Sequence, residues 1–82
     1  MNAERLRNVL ATRPFRRFTM NLADGRKFRV DHPELVAVFP GMDRTAILAM
    51  PKTDSIEIID LLLVSSLTLT EGESRPRRRK AG

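Results

Sequence analysis

The sequence contains no cysteine, tryptophan or tyrosine, and only one histidine among its 82 residues. Without cysteine the chain can form neither a disulfide nor a thiolate metal site, and a single imidazole cannot build a zinc centre. Phenylalanine is the only aromatic residue, so aliphatic side chains must fill most of the core. A chain of this length forms one domain that buries only roughly 60% of its unfolded surface. We therefore expect a single domain of modest stability.

Long apolar runs and glycine-rich loops are also missing. The leucine-rich stretch at residues 61–64 is separated from Ile58 and Ile59 by Asp60, and it falls far short of the roughly 20 residues that a membrane span needs. Residues 1–13 alternate charged and apolar side chains, unlike a secretory signal. The four glycines stand alone, so no phosphate-binding loop is expected. These features predict a soluble, cytoplasmic protein that does not enter a membrane.

No group of residues has the pattern of a catalytic, metal or cofactor site. His32 precedes a proline and is interpreted as a bend residue, because catalysis would need a nucleophile or carboxylate within hydrogen-bond reach. Asp54, Glu57 and Asp60 alternate with apolar residues and are interpreted as the solvent side of a strand. The sequence therefore predicts a protein that is not an enzyme and that binds no metal, cofactor or small-molecule substrate.

The first predicted element is a short amphipathic helix over residues 2–12. Leu6, Val9 and Leu10 share one helical face. Asn2 is a favourable N-cap residue, and Pro14 ends the helix.

After the helix, alternation of apolar and polar residues predicts strands at residues 18–22, 27–31, 35–39, 45–50, 55–59 and 66–70. Asp24-Gly25 predicts a two-residue hairpin turn, because such turns require positive φ angles. Residues 32–34 interrupt the strand pattern, since Pro33 has no amide donor. The residues expected to face one core are Phe18, Met20, Leu22, Phe28, Val30, Ile47, Ile56, Ile58, Leu67 and Leu69.

These elements predict a mostly β (α+β) domain over residues 1–70. One helix and five or six short antiparallel strands favour a small closed or nearly closed barrel, because closure removes exposed strand edges. The count is five if the strands around residues 32–34 form one bent strand. This order resembles the Sm-like version of the SH3-type barrel, and the resemblance implies the fold alone. Residues 71–82, here called the basic tail, have no apolar residue except Ala81 and are predicted to be disordered.

Four short blocks resemble a family of short, uncharacterised bacterial proteins. A proline is common in that family where Arg17 stands here. The resemblance covers most of the domain and implies no activity. The blocks are Arg13-Pro14-Phe15-Arg16-Arg17-Phe18, Asp24-Gly25-Arg26, Val30-Asp31-His32-Pro33-Glu34 and Ile59-Asp60-Leu61-Leu62-Leu63-Val64.

The net charge of +5 equals the five positive charges of residues 75–82, at the end of the basic tail. Residues 1–74 carry ten basic and ten acidic residues, with a net charge of +4 in residues 1–19 and −5 in residues 54–74. Tail cations can neutralise phosphates and release counterions without a fixed geometry. The tail cations are Arg75, Arg77, Arg78, Arg79 and Lys80.

Two hypotheses for the function follow from this charge distribution. The leading one is a non-enzymatic binding module that contacts RNA or DNA weakly and without sequence readout, through the basic tail and a second patch of Arg13, Arg16 and Arg17. In the alternative interpretation these arginines pair with acidic residues of the same domain or of a second copy. The protein is then an interaction or self-assembly module that forms homo-oligomers, and the tail only improves solubility.

Overall fold

The structure, a computed structural model, describes residues 1–70. The helix α1 spans Ala3–Ala11 and confirms the predicted helix. Asn2 is the N-cap, and its Oδ1 accepts a hydrogen bond from the backbone N–H of Arg5 at 2.9 Å. Leu6 is fully buried on the face that packs against the rest of the protein. The predicted disorder of residues 71–82 lies outside the described residues.

Six strands form two antiparallel sheets of three strands each, which confirms an α+β fold rich in strand. The strands are β1 (Phe18–Leu22), β2 (Lys27–Val30), β3 (Val36–Ala37), β4 (Thr45–Met50), β5 (Ser55–Asp60) and β6 (Val64–Leu69). Sheet A has the order β2-β1-β6, and sheet B has the order β3-β4-β5.

The predicted closed barrel is wrong, because the two sheets remain separate within residues 1–70. A 3-10 turn, Pro33–Leu35, separates β2 from β3, and Pro33 lacks the N–H that a continuous ladder would need. Strand β3 has only two residues. A second 3-10 turn, Leu61–Leu63, carries the chain from sheet B to sheet A. Two hydrogen bonds anchor the start of α1. Ala3 N–H donates to the carbonyl of Asp43, just before β4, at 3.2 Å, and the Met1 amino group donates to the carbonyl of Leu61, in the turn between the sheets, at 3.4 Å.

The predicted hairpin between β1 and β2 is confirmed, but its turn is longer than two residues. Leu22 N–H donates to the Arg26 carbonyl at 2.9 Å, which encloses a three-residue loop. Gly25 has a φ of 95°, and Asp24 is not among the residues with positive φ. Three-residue hairpin loops need a left-handed residue only at their last position. Asp24 instead accepts a hydrogen bond from Arg26 N–H at 3.1 Å.

The core lies between the sheets and beneath α1. The predicted core positions are confirmed on sheet A for Phe18, Met20, Leu22, Phe28 and Val30. The prediction is wrong for the exposed Ile56, Ile58 and Leu69, and for Ile47, which lies beside Ile58 on the outer side of sheet B. Leu67 is partly buried and packs against the core, as predicted. The inward positions of sheet B include Ala46, Leu48 and Ile59.

The error on β5 is a one-residue shift in phase. Ile58 and Ile59 are both apolar, so alternation along this strand is compatible with either of them facing inward. The pairing of β5 with β4 places Ile59 opposite the buried Ala46. Because side chains alternate, a shift of one residue exchanges the two faces completely.

Candidate nucleic-acid interface

Sheet A has one face in the core and one polar outer face. On β1, Phe18 and Met20 point inward, so Thr19 and Asn21 point outward. Strand pairing places polar residues of β2 and β6 on either side of these two, since Thr19 is opposite Arg29 and Thr68, and Asn21 is opposite Lys27 and Ser66. We call this surface the polar face. Its residues are Thr19, Asn21, Lys27, Arg29, Ser66 and Thr68.

Asn21 connects all three strands of the polar face. Its Nδ2 donates to Ser66 Oγ and to Thr68 Oγ1, both at 3.0 Å. Its Oδ1 accepts a hydrogen bond from Lys27 Nζ at 3.1 Å. An ammonium group has three N–H donors. The hydrogen bond to Asn21 orients the Lys27 side chain and leaves the other N–H donors available to a ligand.

Arg17 extends the polar face by one row. Thr70 N–H donates to the Arg17 carbonyl at 2.8 Å, so the β1–β6 pairing continues one residue beyond the strand ends. Because side chains alternate, Arg17 lies on the same side as Thr19. Its Nε is buried and has no hydrogen-bond partner among the described residues. A buried donor without an acceptor costs about 1–3 kcal/mol.

The positive charge of this surface is only partly neutralised. Four ion pairs occur within residues 1–70, and they involve Arg26, Arg29 and Arg44 as the cations. Arg29 Nη2 lies 3.2 Å from Asp31 Oδ1 on exposed side chains, where an ion pair contributes little. Arg17 and Lys27 are in none of the four.

The three arginines predicted as a patch have different environments. Arg13 Nη1 donates to the carbonyls of Leu10 and Thr12 at 2.9 and 3.0 Å, so its cation covers the end of α1, where the helix dipole favours it. Arg16 is exposed. Neither they nor Arg17 form an ion pair with an acidic residue of the described chain. Only Arg17 joins the polar face.

The backbone of this arginine segment is held by two aromatic rings. Phe15 packs edge-on against Phe18, with ring centroids 6.0 Å apart. Phe18 is 1% exposed and belongs to the core. The rings therefore fix the position from which the arginine side chains project.

The sequence does not single out Lys27 and Arg29 as site residues. Their alternation with Phe28 and Val30 indicates that they point outward, but it does not reveal which strands lie beside β1. The hydrogen bond between Asn21 and Ser66 joins residues 45 positions apart. Placement of β6 beside β1 is therefore a tertiary feature that local alternation leaves open.

The structure also places the histidine and the carboxylates that the sequence analysis discussed. His32 accepts a hydrogen bond from Leu35 N–H through its backbone carbonyl at 3.2 Å, so it is a bend residue. Asp54 is not on a strand, since it has a φ of 54° in the turn before β5, and Glu57 is half-buried on the inward side. Asp60 is exposed, as predicted. No cluster of three potential metal ligands occurs within residues 1–70.

Asp60 closes the turn after β5. Its Oδ1 accepts a hydrogen bond from Leu62 N–H at 3.0 Å, and its Oδ2 lies 3.2 Å from Arg44 Nη2. The Leu62 hydrogen bond, followed by Arg44, lowers the pKa of Asp60. This carboxylate therefore has a structural role at the end of the strand.

No family model, curated protein or solved structure matches the chain. Within residues 1–70, no helix has both the length and the apolar character needed to cross a membrane. The tail cations Arg75, Arg77, Arg78, Arg79 and Lys80 lie outside the described residues.

Proposed function

We propose that this protein is a non-enzymatic binding module that contacts nucleic acid without sequence specificity, using the polar face and the basic tail together. The observation that carries this proposal is the hydrogen bond between Thr70 and Arg17. Because Thr70 is the last residue before the basic tail, this hydrogen bond means that the chain enters the tail next to Arg17. Five residue steps lead from Thr70 to Arg75, and they span at most about 18 Å. Arg75, the first tail cation, can therefore reach a nucleic acid that is bound at the polar face.

The chemistry of the polar face suits phosphates better than bases. Arginine, lysine, serine, threonine and asparagine side chains are the common donors to phosphate oxygens, and such contacts position a nucleic acid without reading its sequence. Stacking of unpaired bases relies mainly on aromatic side chains, and no residue of the polar face is aromatic. Electrostatic contact with the sugar–phosphate backbone is therefore the expected mode.

The two parts of the site strengthen each other because they belong to one chain. Once the tail has bound, the polar face meets the same nucleic acid at a high effective concentration. The polar face alone supplies three cations with Arg17 included, and the tail supplies five. On duplex DNA, eight cations would give a slope of log affinity against log salt of about −7.

Fluorescence anisotropy of labelled DNA and RNA at several salt concentrations tests this proposal. We expect the double variant Lys27→Gln/Arg29→Gln to bind more weakly than the wild type and with a slope shallower by about 2 units. The matched control is Arg44→Gln/Lys52→Gln, which removes two exposed positive charges next to sheet B. The control should bind more tightly than the polar-face variant.

Removal of residues 75–82 tests the tail in the same assay. We expect a much lower affinity and a slope shallower by about 4.5 units, since five cations are lost. The melting temperature should change little, because Ala81 is the only apolar residue removed. If the full-length protein binds neither DNA nor RNA at low salt, the proposal is wrong. Equal losses in the two double variants would show that net charge matters and the polar face does not.

A further inference from the structure

The outer face of sheet B is apolar. Ile56 and Ile58 on β5 are 66% and 72% exposed, whereas the neighbouring Ile59 is 1% exposed. Strand pairing places further apolar residues beside them, since Ile47 is opposite Ile58 and Ala49 is opposite Ile56. Ala37 on β3 is opposite Ile47 and continues the surface. We call this surface the apolar face. Its residues are Ala37, Ile47, Ala49, Ile56 and Ile58.

A contiguous surface of this kind differs from scattered exposed side chains. Single exposed apolar residues are ordinary, whereas the residues of the apolar face adjoin one another across three paired strands. Strand β5 also forms an edge of sheet B, with no strand on its other side within residues 1–70. Edge strands are usually protected by outward charges, prolines or bulges. The middle of β5 instead presents two isoleucines outward.

The ends of the apolar face carry charges of both signs. Arg44 and Asp60 form an ion pair at 3.2 Å at one end, where β4 begins and β5 ends. The turn between the two strands carries Lys52 and Asp54 at the other end. Each end is therefore neutral overall, and a surface of this type meets a copy of itself without net repulsion.

We propose that the apolar face binds the apolar face of a second copy of this chain, with the two sheets packed face to face about a two-fold axis. A two-fold axis lets one surface cover itself, so no second complementary surface is needed. With charges of both signs at each end, antiparallel packing brings Arg44 and Asp60 of one copy near Lys52 and Asp54 of the other. The two alanines beside the isoleucines provide the alternation of small and large side chains that facing sheets need.

The size of the face sets the strength of this dimer. Three strands of up to six residues cover about 20 by 14 Å, or about 280 Å² for each copy. Stable complexes bury about 800 Å² for each partner. The dimer is therefore weak and reversible, and it forms at high protein concentration. It does not depend on nucleic-acid binding, because the polar face belongs to the other sheet.

Sedimentation velocity of the full chain over a wide concentration range tests the dimer. We expect the wild type to shift from monomer to dimer as concentration rises. The double variant Ile56→Thr/Ile58→Thr keeps β-branched side chains in the strand and should raise the dissociation constant at least tenfold. The matched control Leu62→Thr changes a side chain that is 61% exposed but lies outside the face, and it should dimerise like the wild type.

Several outcomes would overturn this inference. They are a wild type that stays monomeric at every accessible concentration, a double variant that dimerises like the wild type, and a control that loses dimerisation to the same extent. Circular dichroism verifies that each variant is folded. The single variant Ile58→Lys is a second test, because it brings two like charges together across the two-fold axis and should also keep the chain monomeric.

Discussion

Both sheets contribute their inner faces to the core, but their outer faces differ in chemical character. Both outer faces belong to three-stranded antiparallel sheets that alternate inward and outward side chains. In sheet A the outward residues form a polar network around Asn21. In sheet B the outward residues are isoleucine and alanine, except for the pair Thr45 and Asp60 at one end. An antiparallel sheet with one solvated face normally alternates apolar and polar residues. Sheet A follows this rule and sheet B does not, which supports the proposal that a second copy covers the outer face of sheet B.

The difference also separates two kinds of interaction in one small domain. The polar face offers fixed donors and positive charge, so its contacts weaken as salt rises. The apolar face associates by burying apolar surface, so the strength of its contacts changes little with salt. Each surface can therefore be altered by substitution without altering the other.

The largest expected effect on stability distinguishes the two sides of β5. Ile59→Ala should lower the free energy of unfolding by about 2–5 kcal/mol, because the side chain is buried and leaves a cavity. Ile58→Ala should lower it by less than about 1 kcal/mol, because the side chain is exposed and loses only strand propensity. Urea unfolding at low protein concentration, where association is absent, measures both. Equal losses would contradict the assigned phase of β5 and with it the apolar face.

Strand β5 also shows where the sequence is ambiguous. Its residues 56–59 read Ile-Glu-Ile-Ile, and both phases bury one or two isoleucines. Only pairing with β4, in which Ala46 and Leu48 point inward, selects the phase that buries Ile59. On β1 and β2 the alternation has one phase, and all five predicted core positions there are confirmed.

The candidate site could be predicted only in part, because part of it depends on the order of the strands in sheet A. The charge distribution of the sequence predicts Arg17 as part of a patch with Arg13 and Arg16. Lys27 and Arg29 become part of the same surface only because β2 and β6 lie on either side of β1. The predicted barrel failed at Pro33 and at the short β3, where local signals for strand were present but the ladder is interrupted.

The smallest expected effect concerns one carboxylate from each sheet. A hydrogen bond from Arg26 N–H lowers the pKa of Asp24 at the sheet A hairpin, and one from Leu62 N–H lowers the pKa of Asp60 at the end of β5. Because both pKa values lie below the ordinary 3.8 in the folded state, the ionised forms stabilise the fold above that pH. This contribution disappears as the pH falls through the lowered values.

Acid titration of unfolding free energy measures this effect. Asp24→Asn and Asp60→Asn should each slightly destabilise the protein at neutral pH and approach the wild type below the ordinary pKa. Both groups are exposed, so the differences are small. The control Asp43→Asn changes a carboxylate that is in none of the four ion pairs of the described chain. A difference that grows below the ordinary pKa would contradict the assigned direction.

The most direct test of the account is to map nucleic-acid contacts on the full-length protein by amide chemical shifts during titration with a short single-stranded oligonucleotide. We expect changes on the outward positions of sheet A and at Arg17, with no change at Ile56 and Ile58. Changes concentrated on sheet B, or confined to residues 71–82 with none on the polar face, would contradict it.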